Sequence, residues 1–177
     1  SRPNVNVRIQ SGVYVTGSFS IQSDTVVTLA PGVEIRDSGY KSSNEPFIQV
    51  IGNHVKIVGN GAKVMGNRDR AGNSVTRHGI YMIGVSDIEV DGLESSDAGG
   101  DGFYVGGGVG KPATNVTLVN CIARNNVRQG LSITNASHVD VITSMFTGTH
   151  GKPPEFGVDL EPNIQADRLE SILLYGV

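Results

Sequence analysis

The sequence predicts an all-β fold in which short parallel strands stack as the coils of a solenoid. Three observations predict it. Helical periodicity is nearly absent: no 12-residue segment carries apolar residues at i, i+3, i+4 and i+7. Instead, runs of three to seven residues alternate apolar with polar and are then closed by Gly, Asn, Ser or Asp, which supply turns and left-handed backbone. Finally, one glycine-bearing segment recurs along the chain at intervals of about one coil.

Taken in order, the first strands are Val5 to Ile9, Val13 to Val15, Thr25 to Leu29, Val33 to Ile35, Phe47 to Ile51 and His54 to Val58. Four later segments superimpose: His78-Gly79-Ile80-Tyr81-Met82, Asp101-Gly102-Phe103-Tyr104-Val105, Gln129-Gly130-Leu131-Ser132-Ile133 and Phe156-Gly157-Val158-Asp159-Leu160. Their glycines are 23, 28 and 27 residues apart. A second set interleaves with them: His54 to Val58, Asp87 to Val90, Asn115 to Val119, His138 to Ile142 and Arg168 to Ile172. A third, shorter set includes Ala62-Lys63-Val64 and Cys121-Ile122-Ala123. Three strand types per unit suit a coil with three sides, each strand pairing with its counterpart one coil away. An antiparallel sandwich gives no reason for glycines aligned at this interval. A collagen-like chain needs glycine at every third position, which is not seen.

This pattern, over essentially the whole chain, resembles the right-handed parallel β-helix proteins of the pectate-lyase-like superfamily. At about 25 residues per coil the chain makes roughly seven coils, a rod of roughly 30–35 Å at about 4.8 Å per strand spacing. Residues 1–177 form a single domain on this reading. The apolar stretch Leu173-Leu174-Tyr175-Gly176-Val177 has no polar cap, so a fragment of a longer chain, or an end covered by another chain as in a homotrimeric fibre, is expected.

Composition narrows the function classes. The 24 glycines in 177 residues are about twice the usual share of roughly 7 %, as turn-dense repeats require. Charges nearly balance, with 14 Lys+Arg against 17 Asp+Glu and no basic cluster, so no nucleic-acid partner is expected. No apolar run approaches a membrane span, so no membrane partner is expected either. The single cysteine, Cys121, excludes an internal disulfide and a Cys-based zinc site, and its apolar surroundings predict a packed core thiol. Gly106 to Pro112 lacks Ser or Thr after Lys111 and no helix follows, which argues against a phosphate loop.

Side-chain parity then places the chemistry. If Ile80/Met82, Phe103/Val105, Leu131/Ile133 and Val158/Leu160 point inward, three columns face outward. The first is glycine only, which predicts a shallow trough of exposed backbone. The second is Tyr81, Tyr104, Ser132 and Asp159. The third is Ile83, Gly106, Thr134 and Glu161. Asp159 and Glu161 are i and i+2 on one face, so their carboxyl groups are expected about 5–9 Å apart, a span that covers both retaining and inverting glycoside hydrolysis. Two close carboxylates also separate each other's pKa values, leaving one acid and one base. These two are the candidate catalytic residues. Candidate substrate-binding residues are Tyr81, Tyr104 and Ser132 on the face, with Asp101, Arg128, His150 and Lys152 from the flanking turns. His78 points inward by parity, and His54 and His138 read as structural.

The segment Gly157-Val158-Asp159-Leu160-Glu161-Pro162-Asn163 is similar to a Gly-x-Asp-x-Glu-Pro-Asn signature of bacterial and phage β-helix proteins that act on polysaccharides. The resemblance implies a polysaccharide-degrading enzyme, secreted or at a virion surface and so extracellular, without an obligatory cofactor. The same strand looks like the Tyr-Gly-Phe-Asp-Pro-His strand of alginate epimerases, with Asp159 on the family Asp, Phe156 in place of Tyr and Glu161 in place of His. Calcium-dependent pectate lyases, which pair an acidic cluster with a basic residue, are imitated by Asp97, Asp101, Asp159 and Arg128, which leaves a calcium ion open as a cofactor. A two-carboxylate hydrolase matches the residues best. The alternatives are a lyase or epimerase of the same fold, and a carbohydrate-binding or structural rod of a tail spike or adhesin, in which the acidic pair is a solvated face.

Overall fold

The computed structural model describes residues 5–39, 45–68, 75–108 and 110–177. Among them there is no α-helix, and every ladder between named strands is parallel. The strands are β1 (Val5–Ile9), β2 (Gly12–Thr16), β3 (Phe19–Ile21), β4 (Thr25–Leu29), β5 (Val33–Asp37) and β6 (Ile48–Val50). Then come β7 (Val55–Met65), β8 (Ile80–Ile83), β9 (Ser86–Ser96), β10 (Phe103–Gly106), β11 (Ala113–Val119) and β12 (Ile122–Arg124). The last are β13 (Leu131–Ile133), β14 (Ala136–Ile142), β15 (Met145–Thr147), β16 (Val158–Leu160) and β17 (Leu169–Tyr175).

One sheet runs β3-β6-β8-β10-β13-β16. The other runs β1-β4-β7-β9-β11-β14-β17, with β2, β5, β12 and β15 joined to it through the long strands β7 and β9. The three strand sets read from the sequence are these three pairing series. β3 carries no glycine mark and is not legible in the repeat.

Register stacks like on like. Val55, Ile88, Val116 and Val139 form one interior column, and Ile57, Val90, Leu118 and Val141 the next; all eight are buried. Facing them, Ile48, Ile80, Phe103 and Leu131 form a third column. Each such side chain contributes about 1.5–3 kcal/mol of burial. The columns thin toward β16, where Val158 is half-buried and Leu160, expected inside, is 45 % exposed.

Register is pinned at the corners. Asp24, His54, Asp87, Asn115, His138 and Ser171 each hold a left-handed backbone, with φ between 54° and 59°, directly before the stacked positions Thr25, Val55, Ile88, Val116, Val139 and Ile172. Asn, Asp and His tolerate that region better than most residues. His54 sits between Asp24 (3.2 Å) and Asp87 (3.4 Å) in this column. The corner also corrects the last repeat: Val139 pairs with Ile172, not Leu169, so the counterpart of His138 to Ile142 is Ser171 to Tyr175.

The glycine column is not a trough. Gly79, Gly102 and Gly130 are buried. A Cβ on Gly102 would lie 2.5 Å from Asn126 Nδ2 and 2.7 Å from Ala123 Cβ, and one on Gly130 2.6 Å from Phe146 Cβ. Glycine is needed because the third strand series closes against this corner. In the preceding unit Phe47, 1 % exposed, occupies the matching position.

Candidate active site

Strands β8, β10, β13 and β16 put Tyr81, Tyr104, Ser132 and Asp159 in register, as parity predicts. The column continues through Gln49 and Ser20. Glu161 follows β16, held by its backbone N–H to the Ile133 carbonyl at 3.0 Å.

Asp159 and Glu161 are neighbours at this end of the column, and the charge of one acts on the other. Burial pushes the Glu161 carboxyl above its ordinary range, and the charge of Asp159 pushes it the same way; the Arg128 guanidinium, with Nη2 at 3.7 Å, opposes both, and Asp101 adds a further upward push. Asp159 has a second partner: Gln129 Nε2 donates to Asp159 Oδ2 at 3.0 Å. Gln129 is fully buried, and its Oε1 has no hydrogen-bond partner.

A polar layer lies behind the pair. Asp101, fully buried, accepts the Ser132 hydroxyl at 2.9 Å and the Gln129 backbone N–H at 3.1 Å. Its own backbone N–H donates to His78 Nδ1 at 3.1 Å. That nitrogen also lies 3.3 Å from Asp101 Oδ2, but one ring nitrogen cannot accept and donate at once. The backbone N–H can only donate, so Nδ1 accepts and the ring carries its proton on Nε2. The imidazole lies 5.4 Å from and parallel to the Tyr81 ring and 4.6 Å from the Tyr104 ring, and the two tyrosines are 5.2 Å apart. Burial, then the neighbouring Tyr104, raises the Tyr81 phenol above its ordinary value, so it offers a ring face and a hydroxyl rather than a base. Tyr104 OH accepts from Asn163 Nδ2 at 3.1 Å.

Sequence reasoning underrated His78 and did not single out Gln129. Both stand immediately before a column glycine, as does Asp101, and their backbones are consecutive in the same ladder. Three buried polar residues at one repeat position were the available signal.

Other expected residues fall elsewhere. Ser132 and Asp101, expected to face outward, are buried and bonded to each other behind Asp159. Arg128 does join the pair. His150 instead lines a separate polar pocket with Gly66, Asn67, Arg68, Asp97 and Asn125, where Arg68 reaches the His150 carbonyl at 2.9 Å. The backbone N–H of Lys152 is fixed to the Val127 carbonyl at 2.9 Å. Arg77 turns away to a buried ion pair with Asp37, at 2.5 and 2.6 Å. Asp97 belongs to the His150 pocket and bonds Asn125, so the acidic cluster imagined for calcium is not assembled. Among the described residues no three of His, Cys, Asp and Glu are grouped to hold a metal, and the Asp101 oxygens already accept protein donors. These residues do not fit a cation. An apolar cavity of about 370 Å³, lined by Val7, Ile9, Phe19, Ile21 and their neighbours, includes no residue of the carboxylate strand.

No family model matches the chain, and no curated protein matches it. A solved structure does. The chain superposes on the crystal structure of a protein from Parabacteroides merdae, described as a "putative glycosyl hydrolase", with a TM-score of 0.71. The match covers 96 % of this chain and 80 % of that one at 16 % sequence identity. The two share a fold.

Proposed function

We propose that the chain is a right-handed parallel β-helix of about seven coils that hydrolyses a polysaccharide on its outer face, with Asp159 and Glu161 as the acid–base pair. One observation carries this reading: Asp159 on β16 and Glu161 just after it lie beside the Arg128 guanidinium, with Tyr81 and Tyr104 in line along the Asp159 column. The glycosyl hydrolase description of the P. merdae protein is consistent with it.

The chemistry follows from the unequal carboxyls. Glu161, whose carboxyl is pushed upward by burial and by the charge of Asp159, is the acid: it gives its proton to the glycosidic oxygen as the bond to the anomeric carbon breaks. Asp159 serves the anomeric carbon, either by taking a proton from the attacking water or by attacking that carbon directly. Arg128 holds Glu161 from its other side, and the tyrosine rings offer platforms for neighbouring sugars.

A second reading is favoured by one contact. Tyr104 packs on His78 at 4.6 Å, and a Tyr–His pair on this face suits proton abstraction and elimination. The experiment is a panel of extracellular and capsular polysaccharides, scored for new reducing ends and for the ultraviolet absorbance of an unsaturated sugar. Reducing ends alone support hydrolysis. Both signals support elimination. Neither signal, with retained oligosaccharide binding, supports a non-catalytic rod.

A further inference from the structure

We propose that His78, Tyr81 and Tyr104 form a sugar subsite that takes the acyl carbonyl of an acetylated sugar, with His78 Nε2–H as its principal donor. The inference rests on the reading of this face as a carbohydrate site and names the substituent it selects.

The donor is fixed by geometry. His78 Nδ1 accepts the Asp101 backbone N–H at 3.1 Å, so the ring proton sits on Nε2. No described residue accepts from Nε2. Among the described residues, Gln129 Oε1 is the one buried side-chain polar atom that is both sealed from solvent and unpartnered. His78 is 4 % exposed, and that small opening therefore includes Nε2. Buried polar groups are nearly always satisfied within the protein. A ring held firmly on one side, with its single donor left open on the other, is what a ligand site requires.

The two tyrosines flank the opening. The three ring centres are 4.6, 5.2 and 5.4 Å apart. The Tyr104 hydroxyl oxygen accepts from Asn163 Nδ2, which leaves its own proton to be donated. The Tyr81 hydroxyl, on a half-buried ring, bonds no described residue. Three donors thus share one patch, which suits an acceptor on the ligand.

The acceptor that fits is uncharged. The Arg77 and Arg128 guanidiniums are directed to Asp37 and Glu161. The charge directly behind the rings is the Asp101 carboxylate, with Oδ2 3.3 Å from His78 Nδ1. A sugar carboxylate would face that charge with no cation to hold it. An acetyl carbonyl gains the same hydrogen bonds without the repulsion, and its methyl group packs among the aromatic rings.

The test is 15N NMR of the histidine side chains in the intact chain, titrated with four methyl glycosides. They are an N-acetylated hexosamine, an O-acetylated hexose, the unsubstituted hexose and a hexuronic acid. In the free chain the His78 proton should be on Nε2. At least one acetylated glycoside should move that signal and bind roughly 10-fold tighter than the unsubstituted hexose and the uronate, the ratio one good hydrogen bond supplies. The N- and O-acetyl arms show which acyl link is taken. Tyr81→Phe and Tyr104→Phe keep the rings, and each should weaken acetylated binding by about 3- to 10-fold while leaving hexose binding nearly unchanged. A proton on Nδ1 in the free chain would overturn the proposal. So would a His78 signal that no glycoside moves, or tighter binding of the uronate. Binding is read without turnover: a chain that bound acetylated sugars but released no reducing ends would count against hydrolysis and leave this subsite standing.

Discussion

Tyr104 and Asn163 are 59 residues apart in sequence, and the Asn163 amide donates to the Tyr104 hydroxyl at 3.1 Å. The bond folds the segment after Glu161 back across the tyrosine column. Its base is Asp167, buried, whose Oδ2 accepts the backbone N–H groups of Asn163 at 2.9 Å and Ile164 at 3.1 Å. The Asn of the Glu-Pro-Asn signature thus fixes the path by which Glu161 leaves β16.

Asn163→Ala should leave the fold intact, lower stability by about 0.5–1.5 kcal/mol for one lost hydrogen bond, and reduce turnover more than substrate binding. Asp167→Ala should cost more, because two backbone donors lose their acceptor. Urea denaturation beside kinetics checks both. Wild-type kcat in Asn163→Ala would show that the loop plays no part in positioning Glu161.

The buried ion pair makes a separate prediction. Arg77 is 3 % exposed and Asp37 6 %, so Asp37→Ala takes the carboxylate from a buried guanidinium and should cost about 3–5 kcal/mol. Replacing both with apolar residues of similar volume should recover much of that loss. Denaturation midpoints of the single and double variants decide it. Because Arg77 directly precedes His78, the single variant should also disturb the ring packing under Tyr81 and Tyr104.

Glu161 predicts the pH dependence of stability. Its folded carboxyl titrates above the ordinary value of 4.5, so the folded chain binds this proton more tightly than the unfolded one. This group's contribution to stability therefore falls as pH rises from that ordinary value through the raised folded one. Glu161→Gln removes that slope and should melt higher than the wild type at neutral pH, while being inactive. Thermal unfolding at acid and neutral pH measures it; a variant that melts lower at neutral pH, with the slope intact, would contradict the raised Glu161 carboxyl.

The glycine column predicts intolerance to a single methyl group. Gly102→Ala would press Cβ against Asn126, Ala123 and the Gly130 carbonyl, an overpacking cost of about 1–3 kcal/mol. At Gly108 a Cβ meets nothing within 4 Å, so Gly108→Ala should be close to neutral. Equal melting temperatures for the two variants would contradict the close corner.

Much of this was legible in the sequence, for physical reasons. Strand parity has period two, so Tyr81, Tyr104 and Asp159 could be set on one column, and inward columns such as Ile80 and Phe103 could be named. Left-handed corners mark register, and reading an alternating run at Arg168 instead of the corner at Ser171 misplaced the last repeat by three residues. Burial of the polar layer was not legible from parity. His78, Asp101 and Gln129 sit at strand entrances, where alternation does not set side-chain direction, and parity alone does not show that the third strand series closes against the glycine column. His150 was misplaced because a turn beside a strand in sequence can fold to another side of the chain.

The central claim is that Asp159 and Glu161 together cleave a glycosidic bond. The most direct measurement is reducing-end release from a polysaccharide by the wild type, Asp159→Asn and Glu161→Gln at matched folded concentration. The wild type should release reducing ends, and each variant should lose that release by at least about 100-fold, as expected when an acid or base is removed. Undiminished release by either folded variant would contradict the claim.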